Sequence, residues 1–128
     1  VTGAILIGIA VAGVCFVAVS IVKGIFKYDD TLDAFGVHGV GGMVGALLTG
    51  VFANPAVNAL GTGTMFGNPK QFMIQLISVA ATLAYSFVGT FIIFKAIDLT
   101  MGVRLKEKDE NVGVDLSEHN ERAYTLIE

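Results

Sequence analysis

The chain has 128 residues, of which 54% are hydrophobic and 15% charged, and its formal net charge is −3. Soluble domains run at about 45–50% apolar and about 25% charged, so this balance points to a membrane-embedded protein rather than a soluble globule. No basic cluster is present to neutralise phosphates, which excludes a nucleic-acid partner, and a single cysteine, Cys15, excludes a disulfide framework.

Charge is distributed unevenly. No Lys, Arg, Asp or Glu occurs in residues 1–22 or 39–69, and the chain turns strongly polar after Met101. The expected architecture is therefore all-α. A transmembrane region covers 1–101, with helices at about 1–26, 31–52 and 71–101, and a soluble tail covers 102–128. The first expected helix opens with an uncharged run long enough, at 1.5 Å per residue, to cross a hydrocarbon core of about 30 Å. Gly3, Gly8 and Gly13, with Ala4, Ala12 and Ala18, give it small faces suited to close helix packing. Cys15 lies within this run and reads as a small polarisable packing residue. The run has no basic n-region and no cleavage motif, so it is not read as a signal peptide. The chain starts inside a hydrophobic segment and is read as a C-terminal piece of a longer membrane protein.

The second helix is expected to start near Asp30 and to run to Phe52. Asp29, Asp30 and Thr31 are candidate N-caps, and carboxylates there meet the positive end of the helix dipole favourably. Gly36, Gly39, Gly42 and Gly45 recur every three residues, and Gly41/Gly45 and Ala46/Gly50 add pairs of small residues four apart. Each helical glycine costs about 1 kcal/mol relative to alanine, so the cluster makes sense where neighbouring backbones approach closely. His38 stands in this apolar helix, flanked at helical spacing by Ala34, Phe35, Gly41, Gly42 and Gly45. Titratable groups inside membrane spans are costly and face protein, water or a transported species. A satisfied interhelical histidine and a pathway residue both fit this position.

Pro55, Gly61, Gly63, Gly67 and Pro69 punctuate a loop over 54–70. The third helix, at 71–101, would be about 46 Å long, longer than a bilayer core is thick, so it should tilt or project. Gln75, Ser78, Thr82, Tyr85, Ser86 and Thr90 form a polar stripe on it, expected to turn toward partner helices. Lys23, Lys27, Arg104, Lys106 and Lys108 fall on one side of these three spans and Lys70 on the other. The positive-inside rule then puts the first connection and the tail in the cytoplasm, and the N-terminus outside. In the tail, Asp115 and Glu118 have capping-box spacing, and Leu116, Ala123, Leu126 and Ile127 suit one face of a docking helix. His38 and His119 are the two histidines, one in a span and one in the tail, so no metal site of three or four ligands is expected. No phosphate loop, nucleophile arrangement or cofactor motif is visible, and nothing calls for an enzyme.

The run DDTLDAFGVHGVGGMVGALLTGVFA at 29–53 resembles the signature of the ammonium transporter family, in its Amt/Mep branch. A second block, Gly102-Val103-Arg104, then Gly113-Val114-Asp115-Leu116-Ser117-Glu118-His119, then Ala123-Tyr124, is similar to the cytoplasmic tail of the same branch. The resemblance implies a homotrimer of eleven-helix subunits in the plasma or inner membrane, this chain holding the last three helices and the tail. It implies ammonium or ammonia as substrate and a pore lined by two histidines, of which His38 matches the second. Ala34, one turn before His38, is expected to line the inner pore mouth. Asp33 and Asp30 are mouth-lining or helix-start carboxylates, with both roles open. Arg104, Gly113, Asp115, Ser117, His119 and Tyr124 belong to a tail that docks and regulates, near a surface used by PII-type regulatory proteins, and Ser117 matches a regulatory phosphorylation position. The chain departs from the family pattern at Asn120, where glycine is usual, although asparagine tolerates positive φ. Ammonium and potassium have similar size and charge, yet only ammonium can shed a proton, so an apolar pore that demands deprotonation rejects potassium through its dehydration cost. The alternative is an ammonium sensor that signals through its tail.

Overall fold

The computed structural model describes residues 1–122, and its regular structure there is entirely helical. Three helices are long and apolar enough to cross a membrane: α1, Thr2–Phe26; α2, Phe35–Phe52; and α3, Lys70–Thr100. Two short helices follow, α4 at Glu107–Val112 and α5 at Val114–His119. The chain divides within α3 into two units, Val1–Tyr85 and a second beginning at Ser86.

In the first unit α1 is continuous but widens into a π-helical turn at Ala18–Val22, where the Lys23 N–H donates to the Ala18 carbonyl, five residues back. It stops at Lys27, whose φ of +50° leaves the right-handed region. The second helix starts later than the expected residue 31. Residues 30–33 close a tight turn through the Asp33 N–H and the Asp30 carbonyl, 3.1 Å apart. Asp33 itself has φ +55°, a conformation a right-handed helix cannot run through. Helix α2 then also opens on a π-helical turn, Phe35–Gly39, before becoming regular over Val40–Phe52.

This wide turn decides which glycines meet α1. A Cβ on Gly36 would lie 2.7 Å from Val19 Cγ2, one on Gly41 2.9 Å from Cys15 Sγ, and one on Gly45 4.0 Å from Val11 Cγ2. The line of contact thus steps from 36 to 41 and then to 45, because the π-turn inserts an extra residue into the first step. The period of three expected from 36, 39, 42 and 45 is not the packed face. A Cβ on Gly39 would crowd Phe35 of its own helix at 2.8 Å, and Gly42 faces open space. On α1, Gly3 seats Phe52, whereas Gly8 and Gly13 meet nothing within 4 Å among the described residues.

The other end of α2 is held against the loop and α3. The Gly63 N–H donates to the Ala53 carbonyl at 2.7 Å, and Thr64 Oγ1 donates to the Gly50 carbonyl at 3.3 Å. Gly50 accommodates Gln75 of α3, so close that a Cβ would stand 2.7 Å from Gln75 Cγ. Gln75 is half-buried there, while Ser78, Thr82 and Tyr85 of the expected polar stripe are exposed.

In the second unit Ser86 and Thr90 are exposed on the remainder of α3, and Lys95 Nζ pairs with Asp98 Oδ2 at 3.2 Å. The chain leaves the helix at Gly102, φ +75°. The tail forms two short helices that meet at Gly113, φ +103°, rather than one. Asp115 is consequently not the N-cap that its spacing to Glu118 suggests. Gly113 occupies the cap position and Asp115 lies in the first turn of α5. Asn120 ends α5 at φ +52°, in the left-handed region that asparagine tolerates better than most residues.

Candidate functional site

The turn between α1 and α2 brings the sequence-derived candidates Asp30, Asp33, Ala34 and His38 together. A helix start leaves backbone N–H groups without intrahelical acceptors. Asp30 supplies them from outside the helix. Its Oδ1 accepts from the Ala34 N–H at 2.8 Å, and its Oδ2 accepts from Phe35 at 2.9 Å and from Gly36 at 3.3 Å. A carboxylate placed here also meets the positive end of the helix dipole.

Asp33 points elsewhere. Its Oδ1 accepts from Lys23 Nζ at 2.5 Å, and the same ammonium donates to the Asp30 carbonyl at 2.6 Å. Both side chains of this ion pair keep about a third of their surface, at 29% and 33%. Asp33 is thus a tethered carboxylate, and Lys23 is the member of this site that sequence reasoning missed. Its partner lies ten residues away across a turn, a separation that no helical period reveals. Tyr28 packs edge-on against Phe35, ring centroids 6.0 Å apart, and Phe35 in turn covers Gly39.

His38 lies within the π-turn, opposite in role to Gly36, which is buried against Val19. The imidazole is exposed and makes no hydrogen bond among the described residues. Ala34, one turn earlier, is also exposed. A π-turn interrupts the regular ladder and re-aims the side chains it carries, and such turns are frequent at functional sites. What the arrangement offers chemically is an exposed imidazole beside Ala34 and Phe35 at the head of an apolar helix. Among the described residues no three His, Cys, Asp or Glu side chains converge as a metal site would require.

The tail candidates belong to the second unit. Arg104 Nε pairs with Glu110 Oε1 at 2.9 Å. Ser117 Oγ donates to the Gly113 carbonyl at 3.0 Å and to the Asp109 carbonyl at 3.4 Å, tying α5 to α4. His119 is exposed at the end of α5, and Tyr124, Ala123, Leu126 and Ile127 lie outside the described residues.

Comparison with known proteins gives this turn a context. The sequence model described as the Ammonium Transporter Family matches residues 1–124. The ammonium transporter Amt1 of Archaeoglobus fulgidus is 46% identical over 126 residues, covering 98% of this chain and 32% of the relative. The ammonium transporter of Aquifex aeolicus is 49% identical over 125 residues, covering 97% of this chain and 29% of the relative. That of Bacillus subtilis is 43% identical over 121 residues, covering 94% of this chain and 30% of the relative. The chain therefore spans less than a third of the length of each of these relatives. With nearly its whole length matched, including the His38 turn and the tail block, the chain belongs to the ammonium transporter family.

Proposed function

We propose that this chain forms part of the wall of an ammonium or ammonia pathway through a cell membrane, with His38 as its hydrogen-bonding group. The observation that carries the reading is the exposed imidazole at the head of a span-length apolar helix, in a chain of this family. A titratable side chain inside a membrane span is costly, so a position that keeps one is expected to face protein, water or a transported species, and the family favours the last. A second histidine from elsewhere in the full-length subunit completes the pair. Two rings in line fix each other's tautomers and offer ammonia a donor and an acceptor through an otherwise apolar passage.

In this reading Ala34 lines the cytoplasmic mouth beside His38. The first connection and the tail are cytoplasmic, as their Lys and Arg residues favour. Residues 1–101 are the membrane part and 102–128 the tail, which docks within a homotrimer and offers a surface to a PII-type regulator. The chemistry is conduction, with no bond made or broken beyond a proton shed and regained, and it needs neither an enzyme's nucleophile nor a cofactor.

The test is methylammonium uptake by the full-length protein in liposomes. His38→Ala should lower uptake at least about tenfold, as expected when a positioned group is removed from a path. Unchanged uptake would refute the role of His38. Uptake abolished while signalling through the tail persists would favour the sensor instead.

A further inference from the structure

We propose that Lys23 is a positioning residue for the His38 turn: its ammonium, bridging Asp33 and Asp30, sets where α2 begins and so the direction in which His38 projects. This inference rests on the pathway reading of His38 given above.

Three groups of contacts converge on the proposal. Lys23 Nζ reaches Asp33 Oδ1 at 2.5 Å and the Asp30 carbonyl at 2.6 Å. The Asp30 carboxylate holds the N–H groups of Ala34, Phe35 and Gly36. The Lys23 N–H closes the π-turn of α1, and Val19 within that turn seats Gly36 of the π-turn that carries His38. One residue thus links the two π-turns, by its backbone to the first and by its side chain to the start of the second. Asp33 takes φ +55°, a region that aspartate enters more readily than most residues, and its carboxylate is held there by Lys23. The Val37 N–H then donates to the Asp33 carbonyl at 2.8 Å, so the conformation of Asp33 passes directly into the His38 turn.

A lysine at the end of a span commonly extends its charge into the interface and does nothing more. Lys27 shows what that looks like, being exposed and without an ion pair among the described residues. It is the internal control.

The experiment uses the full-length protein in liposomes, with methylammonium uptake expressed per reconstituted molecule. Lys23→Met should lower the maximal rate about tenfold while KM stays within about twofold, since a displaced group in the path slows passage without changing recruitment elsewhere. Lys23→Arg, which can bridge the same two oxygens, should recover most of the rate, and Lys27→Met should leave it unchanged. In parallel, amide hydrogen exchange at residues 34–36 should quicken about tenfold in Lys23→Met, while exchange at 44–52 stays as in the wild type. A wild-type rate and wild-type exchange in Lys23→Met would overturn the proposal, as would an equal loss of rate in Lys27→Met. A wild-type protein that takes up no methylammonium would instead refute the pathway reading, and the exchange comparison would still decide the role of Lys23.

Discussion

The two ends of α2 are held by different means. Its C-terminal end adds to the Thr64 and Gln75 contacts at Gly50 a close backbone approach: a Cβ at Gly63 would stand 2.5 Å from the Val51 carbonyl oxygen and 2.7 Å from the Ala53 nitrogen. Its N-terminal end rests on side chains, with Val19 against Gly36 and the Lys23, Asp30 and Asp33 cluster around the first turn. Backbone cannot step aside, whereas a methyl group or a lysine can be moved by a rotamer change. The difference assigns rigidity to the end away from His38 and adjustability to the end that carries it.

The largest effect expected from breaking this comparison is at the rigid end. Gly63→Ala should destabilise the full-length protein by about 3 kcal/mol, the upper range for overpacking, as read by unfolding in detergent. At the adjustable end, Gly36→Ala forces a side chain rather than the backbone to move and should cost about 2 kcal/mol. Adding Val19→Ala should return at least about half of that loss, a coupling that sites in contact show and distant sites do not. No rescue would mean that Val19 is not what Gly36 accommodates.

The smallest effect is expected on α1, where Gly8 meets nothing within 4 Å among the described residues. On the chain's own contacts Gly8→Ala should change stability by no more than about 0.5 kcal/mol. A larger loss would reveal a helix from the rest of the subunit seated on that face, and would extend the comparison beyond α2.

Much of this architecture was legible in the residues, and the parts that were not have physical reasons. Long, mostly apolar stretches marked all three long helices, because length and polarity alone decide whether a helix can cross hydrocarbon. The glycines of α2 announced close backbone approach, but not which of them would make it. A π-turn shifts the packed face by one residue, and no composition cue separates it from an ordinary turn. Asp30 stood out as a capping acid, yet the helix begins several residues later than expected because Asp33 takes a positive φ. Its partner Lys23 was visible only as a charge at a membrane surface. In the tail, the spacing of Asp115 and Glu118 suggested a cap, and Gly113 moved the helix start by splitting the segment in two.

In the proposed reading, conduction depends on His38 more than on the residues that support its turn. The most direct test is the ratio of ammonium to potassium flux through the full-length protein in liposomes, wild type against His38→Ala. If the cation must shed its proton before it passes as ammonia along the imidazole, the wild type passes ammonium and excludes potassium, and His38→Ala loses that discrimination by at least about tenfold. An unchanged ratio at an unchanged rate would contradict the account.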